Sequence, residues 1–215
     1  MDKSEKVVKY YVLCNKLKNV IRTGWIDWNV KKERLESVAE HVFGVQMLAI
    51  AMHSEFQYNI DIQKVIYMLA IHELEEIVIG DLTLFQINKI EKDTLGYDAI
   101  KKLLDGLVNK EEIINYIVEF NECKTAEAIF ANQCDKLECD LQCKLYDEED
   151  CVSLNNQSNS LAFKNSRVQE LLKTEKSWSG MWLEFSKDRY KYDNNFMKVS
   201  NFVKNANISQ YKSNK

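Results

Sequence analysis

The chain has 215 residues, of which 46% are hydrophobic and 29% charged, with a formal net charge of -4. That length and apolar content suit one substantial core or two small ones, and the near-neutral balance lacks the basic excess of a nucleic-acid surface. The longest apolar run, MLAIAM at 47–52, is far short of a membrane span.

The N-terminal stretch MDKSEKVVKYY is charged and has no apolar core of the signal-peptide kind, so a cytoplasmic protein is expected. Over 4–20, Val7, Val8, Tyr11, Val12 and Leu17 fall near helical spacing. The period breaks over 22–36, RTGWIDWNVKKERLE, which reads as a loop. Ser37 followed by Glu40 is a capping-box pattern and opens a helix through HVFGVQMLAIAMHSEF. NID at 59–61 is a turn and cap. The next helix carries Ile62, Val65, Ile66 and Leu69 on one stripe and is expected to run until Gly80 stops it. Further helices are expected at 88–107, 111–121 and about 125–146. The polar, aperiodic segment 147–166 reads as a loop. Helical signals return at 167–175 and near 178–203, where Trp178, Trp182 and Phe185 form a stripe suited to core or to a subunit interface.

There is no proline and there are only six glycines, so helices run without their strongest breaker and turns fall to Gly, Asn, Asp and Ser. Six cysteines, with no C-x-x-C pair, fit free buried thiols in a reducing compartment. Strand signals are nearly absent. The expected fold is all-α, a single-domain helical bundle with a core over 1–146, a loop at 147–166, C-terminal helices at 167–207 packing on the core, and a frayed tail at 208–215.

The stripe 62, 65, 66, 69 extends at the same spacing to His72, Glu73 and Glu76. Inward carboxylates are costly unless a cation or a wet cleft compensates them, and a divalent metal would do so. Of the other histidines, His53 lies at a polar helix end. His41 sits one turn inside the helix opened by Ser37, on an apolar face beside Gly44. Asp135 follows Ala128 and Ala131 on a small-residued helix face. His41, His72, Glu73 and Asp135 together offer two neutral nitrogens and two anionic oxygens, a set suited to a catalytic first-row metal rather than to calcium or a thiolate zinc site. The Glu-x-x-His pairs of di-metal bundles are missing, since Leu69 and Val38 stand three residues before His72 and His41. A zinc protease motif also fails, because position 76 is Glu.

EH at 40–41, HE at 72–73, EEIVIGD at 75–81 and DKLE at 135–138 resemble the HD-domain metal-dependent phosphohydrolases, closest to the subgroup of bacterial 5'-deoxynucleotidases. The resemblance begins at RTGW, 22–25, and ends near Tyr146. It implies the HD-type fold with extra C-terminal helices, and one divalent transition metal per chain (Mn, Co, Fe, Ni or Zn, with Mg admissible) held by His41, His72, Glu73 and Asp135. It also implies that Glu76 is the acid/base, that Asp81 places water and substrate, and that Arg22 grips the phosphate with its two-pronged guanidinium. The expected activity is hydrolysis of a phosphomonoester by a metal-activated water. The implied substrate is a small phosphate ester of the nucleoside 5'-monophosphate class, with no membrane or nucleic-acid polymer as partner and a homodimer as assembly. The alternative is a non-catalytic HD-like protein that binds a nucleotide or a partner. Two positions depart from the family pattern. Residue 73 is glutamate in place of aspartate, which moves the carboxylate outward. Thr23 stands where the deoxynucleotidases carry a tryptophan near the sugar, with Trp25 and Trp28 slightly later.

Overall fold

The computed structural model describes residues 2–212. Among the described residues the regular structure is helical, and an antiparallel bridge between Ile21 and Ser37 is the one isolated β-pairing. No helix among them is long and apolar enough to cross a membrane.

The chain begins with α1 (Lys3–Cys14), capped by the Asp2 carboxylate, and tightens into a 3-10 turn at Asn15–Asn19. The 22–36 segment, read as a loop, contains the short α2 (Thr23–Asp27). It was hidden because five residues are too few to show a period. Next comes α3 (Val38–Phe56), whose Ser37–Glu40 capping box is fully formed. It is followed by α4 (Ile62–Ile71), where the Asp61 carboxylate accepts from the Gln63 and Lys64 amides. The single helix expected over 62–80 is interrupted. After Ile71 the chain tightens through His72–Glu75 and resumes as α5 (Glu76–Ile79) before Gly80. Within the break, the Leu74 amide bonds the Ile71 carbonyl and the Glu76 amide that of Glu73, a 3-10 pattern.

Then follow α6 (Lys89–Leu103), α7 (Lys110–Glu122) and the long α8 (Ala126–Glu148). Beyond lie α9 (Ser166–Leu171), α10 (Trp178–Tyr190) and α11 (Asn194–Asn205). The helical signal over 178–203 is thus two helices, separated where Lys191 turns left-handed at φ 49° and Asp193 caps anew. Asn29, Gln57, Cys123 and Asp150 also take positive φ, so side chains without proline's ring reverse the backbone. A 3-10 turn at Ser209–Lys212 follows α11, with the Ile208 and Ser209 amides on the Glu148 carboxylate. Residues 213–215 of the expected frayed tail lie outside the described residues.

The contacts divide the chain into two compact units, 1–23 with 36–132 and 24–35 with 133–215. The first packs Val38, Ile71, Leu74, Ile100, Leu104 and Ile117 into one core from α3, the α4 end, α6 and α7. The second is built on aromatics. Trp28 lies 5.7 Å from Trp178, 5.8 Å from Trp182 and 6.0 Å from Phe163, centroid to centroid. The tryptophan stripe is therefore core, with Trp178 and Phe185 both buried. Polar bonds tie down the aperiodic 147–166 segment. The Asp27 carboxylate accepts from the Ser160 hydroxyl at 2.6 Å and the Leu161 amide at 2.8 Å, and Gln157 Nε2 donates to the Trp28 carbonyl at 2.9 Å. All six cysteines are free thiols.

Candidate active site

The first unit brings six of the expected residues together. The Ile21–Ser37 bridge sets the entry to α3: the Arg22 amide donates to the Glu36 carbonyl at 3.1 Å, and the Val38 amide to that of Val20 at 2.8 Å. This fixes Arg22 beside the first turn of α3, where His41 is fully buried. His72 closes α4. Its Nδ1 lies 2.7 Å from the Leu69 carbonyl, which can only accept, so Nδ1 carries the proton and Nε2 keeps the lone pair. The Leu69 carbonyl thus meets a side chain at the end of α4, where regular helix stops at Ile71. Phe120 packs on the His72 ring at 5.0 Å between centroids.

Glu73 Oε1 is the meeting point. It lies 3.8 Å from His41 Nε2, 3.7 Å from His72 Nε2 and 3.3 Å from Arg22 Nη1. Ligating atoms of His41, His72 and Glu73 all lie within 4.8 Å of one another, as a shared ion requires. Two imidazole nitrogens and a carboxylate, all buried, fit a first-row divalent cation. Asp81 stands alongside. Its Oδ1 is 3.9 Å from Arg22 Nη1, its Oδ2 accepts the Thr23 amide at 2.5 Å, and its carbonyl takes the Thr23 hydroxyl at 2.6 Å. Thr23 is thus committed to locking the α2 start onto Asp81.

Glu76 lies one helical turn beyond His72, its side chain wholly buried. Burial, then the charges of Glu73 and Asp81, push its carboxyl well above the usual carboxylate range, against Lys92 and Arg22. Lys92 Nζ from α6 sits 3.1 Å from Glu76 Oε1, while Oε2 is buried with no hydrogen-bond partner. Burial opposes the Lys92 charge, but Glu73, Glu76 and Glu75 outweigh it and hold the ammonium above the ordinary lysine range. Sequence reasoning missed Lys92, and no signal marked it: it is one lysine among several on a polar helix. Burial, with Glu73 as second cause, also pushes Glu75 up to about 8.

Asp135 stands on α8 in the second unit, 2% exposed, with Lys136 Nζ 2.6 Å from its Oδ2. His53 is half-buried in the last turn of α3, as its helix-end position implied.

An HD domain family model matches residues 14–182. A 5'-deoxynucleotidase HDDC2 from Dictyostelium discoideum is 34% identical over 151 residues, covering 66% of this chain and 78% of the relative. The Schizosaccharomyces pombe 5'-deoxynucleotidase hdd1 is 26% identical over 143 residues, covering 63% and 70%. In structure the chain is similar to the PH0347 protein of Pyrococcus horikoshii, with a TM-score of 0.62 and 22% identity over 92% of this chain and 98% of that one. A "predicted metal-dependent phosphohydrolase" from Magnetospirillum magnetotacticum gives a TM-score of 0.60 at 19% identity, over 92% and 97%. With the HD domain model spanning well over half of its length, the chain belongs to the HD domain family.

Proposed function

We propose that the protein is a metal-dependent phosphohydrolase that removes phosphate from nucleoside 5'-monophosphates, deoxynucleotides foremost. The observation that carries this reading is the convergence of His41 Nε2, His72 Nε2 and Arg22 Nη1 on one buried carboxylate oxygen, Glu73 Oε1. The names of the 5'-deoxynucleotidase relatives support the substrate class. His41, His72 and Glu73 would hold one divalent ion, with Asp135 as fourth ligand. Its support is a buried carboxylate on a face where Ala128 and Ala131 are also fully buried. When bound, a divalent ion of the manganese, cobalt, iron, nickel, zinc or magnesium group lowers the pKa of a water and polarises a phosphate oxygen.

The chain's own groups do the rest. Arg22 exchanges its carboxylate contacts for two phosphate oxygens and offsets the charge of the transferring group. Asp81, fastened to the Thr23 amide, keeps Arg22 at its post and orients the attacking water. Water adds to phosphorus and the bond from phosphorus to the 5'-oxygen breaks. Glu76, whose surroundings favour its protonated form, delivers the proton to that leaving oxygen from Oε2, since Lys92 holds Oε1. The products are the nucleoside and inorganic phosphate. A cytoplasmic location, supported by the free thiols, and a homodimer, supported by the exposed apolar face of Val7, Val8, Tyr11 and Val12 on α1, complete the proposal.

The test is a panel of deoxy- and ribonucleoside 5'-monophosphates, offered to chelator-stripped protein reloaded with one metal at a time. Phosphate release that needs metal and disappears in His72→Ala is the expected result, and the panel ranks the sugars. No release with any metal, from protein that binds one tightly, would overturn the hydrolase and leave nucleotide binding without turnover.

A further inference from the structure

A hydrogen bond to one ring atom does not by itself hold an imidazole in one plane. The bond between His72 Nδ1 and the Leu69 carbonyl sets the tautomer and the place of one edge. Approach directions at a carbonyl are broad, and so is the torsion that turns a histidine ring about its Cβ–Cγ bond. The ring can rock about that one contact, and Nε2, on the far edge, swings most. Metal–ligand distances tolerate only about 0.2 Å, so the rocking has to be stopped from the side.

Two rings flank His72. His41 lies 5.7 Å away between centroids at an interplanar angle of 56°, but as a ligand itself it shares the constraint of the ion rather than adding one. Phe120 lies nearer, at 5.0 Å and 55°, within the range of packed aromatic pairs. It is 6% exposed, on the buried stripe of α7 with Ile113 and Ile117, and α7 packs on α4, which His72 closes. The last turn of α7 is itself pinned. Asn132 Nδ2 donates to the Phe120 carbonyl at 2.8 Å and to that of Ala128 at 3.0 Å, and Cys123 ends the helix in a left-handed turn. A flat, stiff side chain on an anchored turn is a wall, whereas a leucine there would leave a gap in which the imidazole rocks. We propose that Phe120 is a positioning residue for His72, fixing the imidazole plane and so the direction in which Nε2 offers its lone pair. This rests on the reading of His72 as a metal ligand.

The test observes the ring without metal and then with it. Long-range proton–nitrogen spectra of the isotope-labelled, metal-free full chain, at about pH 8 where imidazoles are ordinarily neutral, report the tautomer and the exchange broadening of His72. Manganese affinity follows from the EPR signal of the free ion. The native chain is expected to give one sharp Nδ1-protonated pattern. Phe120→Leu is expected to broaden it or to mix in the second tautomer, and to weaken manganese binding by about tenfold. Phe120→Met, longer and still without a ring, is expected to do the same and decides the matter if Phe120→Leu does not fold. Ile117→Val, one turn earlier on the same stripe, trims the core without removing the wall and is expected to change neither readout. A native spectrum with manganese affinity within about twofold in the Phe120 variants overturns the proposal, as does an equal response in Ile117→Val. A native chain that takes up no manganese overturns the metal reading of the site instead, and the imidazole spectra still decide on Phe120.

Discussion

His72 can offer a metal only one nitrogen, because its Nδ1 proton is spent on the Leu69 carbonyl. That bond fixes the ring and raises the basicity of Nε2. A comparable division holds at Glu76, where Lys92 occupies Oε1 and Oε2 is left without a hydrogen-bond partner. Glu76→Gln keeps shape and metal but cannot give a proton; turnover is expected to fall by about 10²–10⁴-fold, and a loss within about threefold would dismiss the acid/base role. Lys92→Met removes a charged hydrogen bond of about 1.5–3 kcal/mol, so kcat is expected to fall by about 10–100-fold with metal content unchanged; metal analysis beside steady-state kinetics checks it. The six residues gathered in the first unit were legible in the sequence because each is a chemically expensive type on an apolar stripe or in a motif. Lys92 was not, because an ammonium on a charged helix carries no mark until the fold turns it toward three carboxyls.

At the scale of elements, caps were the most legible features and internal breaks the least. Ser37 with Glu40, and Asp61, are written in local chemistry and appear as read. The interruption at His72–Glu75 depends on one ring bonding one carbonyl, and the α10–α11 break on a lysine in a left-handed turn, neither of which hydrophobic spacing records. The short α2 shows no period in its five residues, and the aspartate that closes on its first amide stands 58 residues later. Ser37 matters beyond its own helix, since it caps α3 and lies in the bridge that places Arg22. Ser37→Ala is expected to cost about 1 kcal/mol in denaturant unfolding. An unchanged midpoint would mean that the Glu40 carboxylate and the bridge hold the α3 start without the hydroxyl.

For the whole molecule, buried acids set the response to pH. In the second unit, burial pushes Asp140 up to about 8, although the Ser186 hydroxyl donates to its Oδ1 at 2.8 Å and the Tyr192 hydroxyl lies 3.2 Å from its Oδ2. Its folded-state pKa is thus above the unfolded value near 3.9, and the native state keeps the proton longer. The associated stability is present in full below about pH 4 and declines as pH rises through about 8, the direction Glu75 shares. Asp140→Asn removes that titration. Melting of metal-free protein from pH 5 to 8 is expected to show a shallower decline in the variant than in the native chain, and parallel curves would refute the assignment.

The manner in which this backbone turns has a further consequence, and it concerns time. Its reversals are made by residues such as Gln57, Cys123 and Lys191 in left-handed conformations, and no proline occurs in the 215 residues. No peptide bond therefore belongs to the class that populates both isomers when unfolded and takes tens of seconds to interconvert. Chains diluted from denaturant start as one isomeric population. Refolding of metal-free protein is expected to lack the slow phase that lengthens with time spent unfolded, and added prolyl isomerase is expected to leave every rate where it was.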